Sequence, residues 1–243
     1  MIAATGLLAE AQIAASSAKV KTVVSAGNAT RLGALIEEAI AEGGVAILSF
    51  GIAGGLREAL KPATCLVGGE VVHAGKVYRA DAVWTARLAK RLITSGCEGF
   101  ESERGGNAER RRGEGRPALH RIAGVDRPVA SPCDKRALQA ATGASAVDME
   151  SHIVADLAAR HGLPFAVVRV IADPVNHGIP PAAQVAMRSD GAMDAIACLR
   201  AVARHPVEVP ALIRLAIDTV RAMLQLRRCA KVLGPGLGFF ERG

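Results

Sequence analysis

The stretch "AVDMESHIVADLAARHGLPFAVVRVIAD", residues 146–173, predicts a helix that leads directly into a buried strand. Apolar residues recur at helical spacing over residues 148–161. Gly162 is typical of a left-handed helix cap, and Pro164 prevents the helix from continuing. The β-branched run at residues 165–171 follows at once, so one strand and one helix are connected by a very short turn.

Similar alternation extends along the rest of the chain. "VAILSF" (45–50) predicts a buried strand, and "TCLVGGEVV" (64–72) predicts another whose glycine pair indicates a bulge. "ATRLGALIEEAIAEGG" (29–44) has helical periodicity and stops at glycines. Strands that alternate with helices predict one α/β domain, with a mixed, largely parallel, twisted sheet covered by helices on both faces.

The composition is that of a globular protein with a sizeable core, because half of the 243 residues are hydrophobic. Five scattered cysteines without a C-x-x-C pair predict reduced thiols in a cytoplasmic protein. The six histidines show no H-x-x-x-H or H-E-x-x-H spacing, so neither a metal nor a cofactor is predicted. The N-terminus lacks the basic start of a signal peptide, and no run of about 20 apolar residues predicts a membrane span.

The chain is expected to form a catalytic domain, residues 1–205, and a C-terminal helical extension with a tail, residues 206–243. Residues 98–116 are rich in glycine and charge and are predicted to form an exposed loop. Most of the net charge of +7 lies in residues 199–243, which indicates an anionic partner. Because the arginines of the loop have no interleaved aromatic residues, nucleic acid is not the predicted partner.

Three charges in the first stretch need a chemical reason. Asp173 follows a predicted parallel strand, where α/β sheets bind ligands, and burial there would raise the pKa of its carboxyl group so that it can hold a proton. The two oxygens of Glu150 suit a vicinal diol such as that of ribose. An acid and a diol-binding anion fit cleavage of an N-glycosidic bond through an oxocarbenium-like transition state. Arg169, in mid-strand, is expected to be buried and paired.

The same residues carry a family resemblance. "AVDMES" followed by "RVIAD" resembles the signature of the purine nucleoside phosphorylase and methylthioadenosine/adenosylhomocysteine nucleosidase superfamily. "SFGIAGGL" (49–56) is similar to the Gly-rich "TGxAGGL" turn of that superfamily, and together the motifs span residues from about 45 to 190. The likeness extends to the hopanoid-associated phosphorylases, which act on adenosylhopane. Their "AVDMESH", the "DP" after the catalytic Asp and an Arg-containing "PALIRLA" segment all occur here.

The resemblance implies residue roles. Asp173 would protonate N7 of adenine, Glu150 would bind the ribose hydroxyls, and Met149 would pack against the sugar. Gly54, in the Gly-rich turn, would belong to the substrate-binding residues. The structural alternatives are that Glu150 is a helix N-terminal charge and that Asp173 is a helix cap or turn former.

The nucleophile stays open between water and phosphate. The nucleosidases activate water with a glutamate in an N-terminal "GAMxEE"; here Glu10 of "TGLLAEA" falls one residue short of that position and is the candidate base. The N-terminal Gly-Asp-Pro-x-Arg phosphate motif of the phosphorylases is absent. "SAGNATR" (25–31) is similar to a second nucleophile-side loop. Ser25, Asn28 and Arg31 could therefore bind an anion near a helix N-terminus, which keeps phosphate as a candidate co-substrate. Asn28 is otherwise a helix cap and Arg31 a surface residue.

Residues 210–233 predict an amphipathic helix suited to a membrane surface, with a helix packed on the domain as the alternative. Aliphatic residues occupy one face and arginines recur every seven residues on another: Ile213, Ile217, Val220 and Leu224, and Arg214, Arg221 and Arg228. The segment 173–187 is expected to form an apolar wall on the 5′ side of the site.

Three functions remain open at this point. The protein could release adenine from adenosylhopane, perform the same reaction on methylthioadenosine or adenosylhomocysteine, or bind a nucleoside without turnover. The partner is accordingly a small-molecule nucleoside or an adenosylated lipid, with peripheral membrane contact in the lipid case. The resemblance also implies a homo-oligomer.

Overall fold

The computed structural model describes residues 1–95, 119–184 and 206–239. The predicted loop at residues 98–116 lies outside these residues, as does the predicted end of the catalytic domain at residue 205. The loop and the boundary between domain and extension therefore stay predictions.

Strands and helices alternate along the described chain. The strands are β1 (Ile2–Thr5), β2 (Lys21–Val24), β3 (Ile47–Gly55), β4 (Cys65–His73), β5 (Lys76–Arg79), β6 (Leu119–Gly124), β7 (Ala146–Asp148) and β8 (Phe165–Asp173). The helices are α1 (Leu8–Ala15), α2 (Ala29–Ala41), α3 (Ala82–Thr94), α4 (Pro132–Thr142), α5 (Ser151–His161), α6 (Pro181–Gln184) and α7 (Val209–Leu233). Short 3-10 turns, Pro206–Glu208 and Pro235–Gly238, flank α7.

The strands form one mixed sheet, and among the described residues five of the eight strand pairs are parallel. The predicted α/β class with a largely parallel sheet is confirmed. Part of the sheet also closes on itself, because β3, β8, β4, β6 and β7 pair in turn and β7 returns to β3. The strand patterns did not predict this closure. It brings Gly54 of β3 against both Val147 of β7 and Asp173 of β8.

Local signals in the sequence determine where several helices begin and end. Asn28 caps α2, with its Oδ1 accepting a hydrogen bond from the Arg31 backbone N–H at 2.9 Å. Asp81 and Ser131 cap α3 and α4 in the same way. Gly162 ends α5 at φ 62°, in the left-handed conformation predicted for it.

Both faces of the sheet are covered, which explains the unbroken apolar run of β8. Alternate side chains of a strand point to opposite faces. Val168 and Val170 therefore pack in the core beneath α1, α3 and α7, whereas Val167 and Ile171 pack beneath α2 and α5. A strand that is buried on both faces has no position for a solvent-facing polar residue, so a charge within it must be paired.

Helix α7 packs on the domain through one face of its second half. Buried residues of this face join the core with α1 and α3: Ala222, Leu226, Cys229 and Leu233. The aliphatic face that the sequence predicted is on the opposite side, and each of its four residues is 48–58% exposed: Ile213, Ile217, Val220 and Leu224. The predicted helix is confirmed, but the large aliphatic residues do not form its packed face. In the described part of the chain, no helix combines the length and the apolar character needed to cross a membrane.

Candidate active site

A cavity of about 760 Å³ lies at the carboxyl ends of β3 and β8. Its volume is within the range of small-molecule sites, roughly 300–1,000 Å³. Its wall contains the carboxylates of Glu10, Glu150 and Asp173, which come from three separate parts of the chain and are all buried. The fold therefore brings together the three acidic residues that the sequence selected.

Glu150 occupies the N-cap position of α5, but its side chain makes no capping hydrogen bond. Asp148 takes that role, since its Oδ1 accepts hydrogen bonds from the backbone N–H groups of Ser151 at 2.7 Å and Glu150 at 3.0 Å. The Glu150 carboxylate instead faces the cavity, where Oε1 accepts from Ser25 Oγ at 2.9 Å and Oε2 lies 3.4 Å from Arg169 Nη2. Burial raises the pKa of Glu150 to about 7, against the lowering effect of the Arg169 guanidinium.

Arg169 is fully buried in β8 and is paired, as the sequence predicted. Its Nε donates to Asp148 Oδ2 at 2.7 Å, and its Nη2 donates to Ser49 Oγ at 2.6 Å. Burial opposes the charge, but neighbouring carboxylates, with Asp148 first, outweigh it and raise the pKa of Arg169. Gly51 lies opposite Arg169 in the strand register, and a Cβ there would be 2.6 Å from Arg169 Nη1. A side chain at residue 51 would thus displace the guanidinium.

Glu10 lies in the first turn of α1, and its side chain points back to the strand ends. Its Oε2 accepts hydrogen bonds from the backbone N–H groups of Gly6 at 2.8 Å and Leu7 at 2.9 Å. Its Oε1 accepts from the Ile52 N–H of β3 at 2.8 Å. Burial raises the pKa of Glu10, although Arg169 and the three N–H groups lower it. The offset of one residue in the sequence therefore does not keep Glu10 out of the site.

Two glycines let the carboxylates approach the backbone closely. A Cβ on Gly6 would lie 2.9 Å from Glu150 Oε1 and 3.5 Å from Glu10 Oε2, so both acids border the same point of the chain. A Cβ on Gly54 would lie 3.3 Å and 3.4 Å from the two carboxylate oxygens of Asp173. Gly54 is thus in the cavity wall beside the proposed acid, where a larger residue would occupy the space next to it.

Asp173 ends β8 and forms an ion pair with Lys135 of α4. Lys135 is fully buried, and its Nζ also donates to the backbone carbonyl oxygens of Pro174 at 3.2 Å and His177 at 3.0 Å. Burial raises the pKa of Asp173, and the Lys135 ammonium opposes that rise. One lysine therefore fixes both the carboxylate and the segment that follows it.

The predicted anion-binding loop divides into two parts. Ser25 is buried and donates its hydroxyl to Glu150, while the Gly27 N–H donates to Ser25 Oγ at 3.2 Å. Asn28 is the cap of α2, which was the structural alternative for it. Asn28 and Arg31 are both exposed and are not among the residues that line the cavity. The structure thus brings Ser25 to the site but does not bring Asn28 or Arg31.

The remainder of the cavity wall is mainly apolar. Met149 lines it directly beside Glu150. The other apolar side chains come from the segments that follow β6 and β8 and from the first half of α7, and they include Val125, Val129, Ile179, Leu212, Ile213 and Val220. Polar and charged groups are therefore concentrated at the strand ends, and α7 closes the opposite side with aliphatic groups.

Two residues of the site were missed by sequence reasoning. Asp148 could have been recognised, because an aspartate between a strand and a helix is a typical N-cap. Lys135 carries no such signal, since it lies between Asp134 and Arg136 in a helix whose other charged residues are exposed. Its burial depends on the tertiary contact with β8.

A second polar group lies near the cavity but does not line it. Side-chain atoms of His73, Asp126 and His152 are within 4.8 Å of one another. The two imidazole rings stack, with centroids 4.2 Å apart and planes at 22°. The lone pairs of the two rings lie in two nearly parallel planes, so they do not converge on one nearby point. This group therefore does not present a preorganised metal site.

Solved structures of low sequence identity share this fold. Futalosine hydrolase of Helicobacter pylori strain 26695 has a TM-score of 0.62 at 16% identity, covering 96% of each chain. A 5′-methylthioadenosine/S-adenosylhomocysteine nucleosidase from Neisseria meningitidis, in complex with methylthio-immucillin-A, has a TM-score of 0.61 at 15% identity, covering 96% of this chain and 97% of that chain. The Streptococcus pyogenes S-adenosylhomocysteine nucleosidase in complex with 5-methylthiotubericidin has a TM-score of 0.56 at 17% identity, covering 92% and 95%.

These likenesses show that the chain shares the overall fold of these structures. The chain belongs to the phosphorylase superfamily, which its residues 5–205 match. None of the curated proteins matches the sequence. The prediction that the chain is an enzyme of this superfamily is confirmed by the match.

The buried ion pair generates a prediction about stability. Lys135→Met leaves the Asp173 carboxylate without its cation, and breaking a buried pair in this way costs about 3–5 kcal/mol of unfolding free energy. Arg136→Met, at the neighbouring exposed position, is the control and should cost less than about 0.5 kcal/mol. Urea unfolding of both variants at pH 7 measures the difference. Equal losses would show that the Lys135–Asp173 pair does not stabilise the fold.

The raised pKa of Glu150 generates a second prediction. Between its ordinary pKa of 4.5 and the folded value of about 7, the folded protein holds a proton that the unfolded chain releases. The unfolding free energy should therefore fall as the pH rises through this window, by up to roughly 3 kcal/mol from this one group. Glu150→Gln cannot titrate and should show a shallower fall.

Urea unfolding at pH 5, 6, 7 and 8 provides the measurement. The exposed Glu58→Gln is the control and should follow the wild-type curve. If the Glu150→Gln and Glu58→Gln curves run parallel over this range, Glu150 does not titrate there.

Proposed function

We propose that the protein cleaves the N-glycosidic bond of a 5′-substituted adenosine and releases adenine. The observation that carries the proposal is the meeting of three buried carboxylates, Glu10, Glu150 and Asp173, in one cavity. Burial raises the pKa of each of them, and that of Glu150 to about 7, which favours carboxyl groups that hold a proton for transfer. The names of the solved neighbours, which are nucleosidases and a hydrolase, support the same class of reaction.

Each carboxylate would have a separate task. Asp173 at the end of β8 would donate a proton to N7 of adenine, which makes the base a better leaving group. Glu150 would accept hydrogen bonds from the ribose hydroxyls. Ser25 and Arg169 hold that carboxylate in a fixed orientation. The anionic groups would also stabilise the positive charge that develops on the sugar in the transition state.

Water is the nucleophile that the proposal favours. Glu10 and Glu150 border the same point beside Gly6, so a water molecule activated by Glu10 would be close to the sugar. Arg31, the residue selected for phosphate, is exposed and does not line the cavity. Phosphate remains the competing co-substrate because the family includes phosphorylases.

The proposed substrate is adenosylhopane. The motifs shared with the hopanoid-associated phosphorylases support this choice, and the wall formed by α7 and by Ile179 is aliphatic where a 5′ substituent would extend. Methylthioadenosine and adenosylhomocysteine are the second candidates, because solved neighbours are nucleosidases for them. A homo-oligomer remains a prediction.

Asp173→Asn tests the proposed acid. The amide keeps the shape of the side chain but cannot donate a proton, so adenine release should fall by about 10²–10⁴-fold. Asp126→Asn is the control, since Asp126 follows the parallel strand β6 but its side chain is 69% exposed. Liquid chromatography of released adenine, with a soluble 5′-substituted adenosine, provides the measurement.

Near-wild-type turnover by Asp173→Asn would remove this residue from the mechanism. Wild-type protein that binds the nucleoside with no turnover at all would instead support the binding module without catalysis.

The identity of the sugar product tests the nucleophile. At saturating phosphate the product should be the free 5′-substituted ribose, and the rate should not depend on phosphate. Arg31→Ala should behave like the wild type, because Arg31 is outside the cavity wall. Mass spectrometry of the products distinguishes the two outcomes. A sugar 1-phosphate that the wild type forms and Arg31→Ala does not form would establish phosphorolysis. It would also place the phosphate at residues 25–31, at the start of α2.

A further inference from the structure

Helix α7 presents an aliphatic surface that no described residue covers. Its four members, Ile213, Ile217, Val220 and Leu224, are each about half exposed and are here named the outer stripe. At 1.5 Å per residue the stripe is about 16 Å long, or three helical turns. Large aliphatic side chains exposed side by side, instead of singly, indicate an interaction surface.

The outer stripe is bordered by a row of positive charge. Three exposed arginines lie on one side of the stripe: Arg214, Arg221 and Arg228. At 100° per residue they are roughly 60–100° around the helix from Ile213. Arg221 Nη1 also lies 3.6 Å from Oδ1 of Asp218, the acidic residue of this part of the helix. The surface therefore combines an aliphatic centre with a basic margin.

On its other side the outer stripe joins the cavity. Ile213 and Val220 belong to both, because they line the cavity and are more than half exposed. Leu212 and Ala216 continue the cavity wall on that side of the helix. An apolar path thus leads from the protein surface to the strand-end carboxylates without crossing a charged side chain of α7.

We infer that the outer stripe docks on the surface of an anionic lipid bilayer, with the aliphatic residues at the acyl boundary and the three arginines at the headgroup phosphates. Surface-lying helices with an apolar face and a basic margin bind membranes in this way. Docking would place the apolar side of the cavity next to the bilayer. The direct passage of a lipid-linked substrate into the site rests on the proposed function, whereas the docking surface does not.

A second copy of the chain is a less suitable occupant. In a two-fold contact the same face meets itself, and when the two helices run antiparallel the two rows of arginine lie on the same side of the contact. A stable interface buries roughly 800 Å² on each partner, from about 20–30 residues. A stripe four side chains long with a charged border is better matched to headgroup phosphates.

Sedimentation with lipid vesicles tests the inference on the full chain. The protein should sediment with vesicles of phosphatidylcholine and phosphatidylserine, but not with phosphatidylcholine alone. Salt at about 0.5 M should release it, because the Debye length falls to a few ångströms. Binding should be reversible, since this surface has no lipid anchor and a single basic residue contributes only roughly fivefold.

Two variants separate the parts of the surface. Replacing Arg214, Arg221 and Arg228 with Gln should weaken vesicle binding by roughly a hundredfold. Ile217→Ser with Leu224→Ser should also weaken it, and neither residue lines the cavity. The control replaces Lys61, Lys76 and Arg79 with Gln, which removes the same charge from exposed positions elsewhere. This control should bind vesicles nearly as well as the wild type.

The inference is overturned if the wild type does not bind anionic vesicles, or if the arginine variant and its control bind these vesicles equally well. It is also overturned if Ile217→Ser with Leu224→Ser converts a dimer to a monomer but leaves vesicle binding unchanged, because a second copy would then cover the stripe. Cleavage of a soluble adenosine analogue should be unaffected in all three variants. Vesicle binding by a wild type that cleaves no adenosine would contradict the proposed function and leave the docking surface intact.

Discussion

The pairing of the buried Arg169 is the interaction on which the rest of the site depends. An unpaired guanidinium in a strand covered on both faces would cost several kcal/mol. Asp148 provides the counter-charge, and in doing so it caps α5 and leaves the Glu150 carboxylate facing the cavity. Gly51 provides the space, because a Cβ there would collide with the guanidinium. One buried cation thus organises β3, β7 and the start of α5.

A second cation, Lys135, does the same at the other end of the cavity. It pairs with Asp173 and holds the carbonyl oxygens of the following segment. In both places burial raises the pKa of a carboxyl group while the adjacent cation lowers it. The site therefore keeps acidic groups away from water and places a compensating cation beside two of them.

The sequence predicted those features that depend on local patterns. The cap at Gly162 was identified correctly, and the glycine pair in β4 shifts the register against β6 between Gly68 and Glu70 as expected for a bulge. Asp173 and Glu150 were selected by their positions at a strand end and a helix start, whereas Glu10 was selected by the family resemblance. Lys135, the closure of the sheet and the packed face of α7 were missed. All three arise from contacts between distant segments, which local periodicity does not encode.

The closed sheet also constrains how the protein can reach its native state. Ile47 of β3 pairs with Phe165 of β8, and α1 shares a core with α7 near the other end of the chain. Such long-range pairings form slowly, since loop closure must precede the contacts that stabilise it. Glu10 and the aliphatic wall of α7 meet the other site residues only after these pairings exist. A partly folded chain then has an incomplete site, so catalytic activity itself reports that the distant segments of the described structure have assembled.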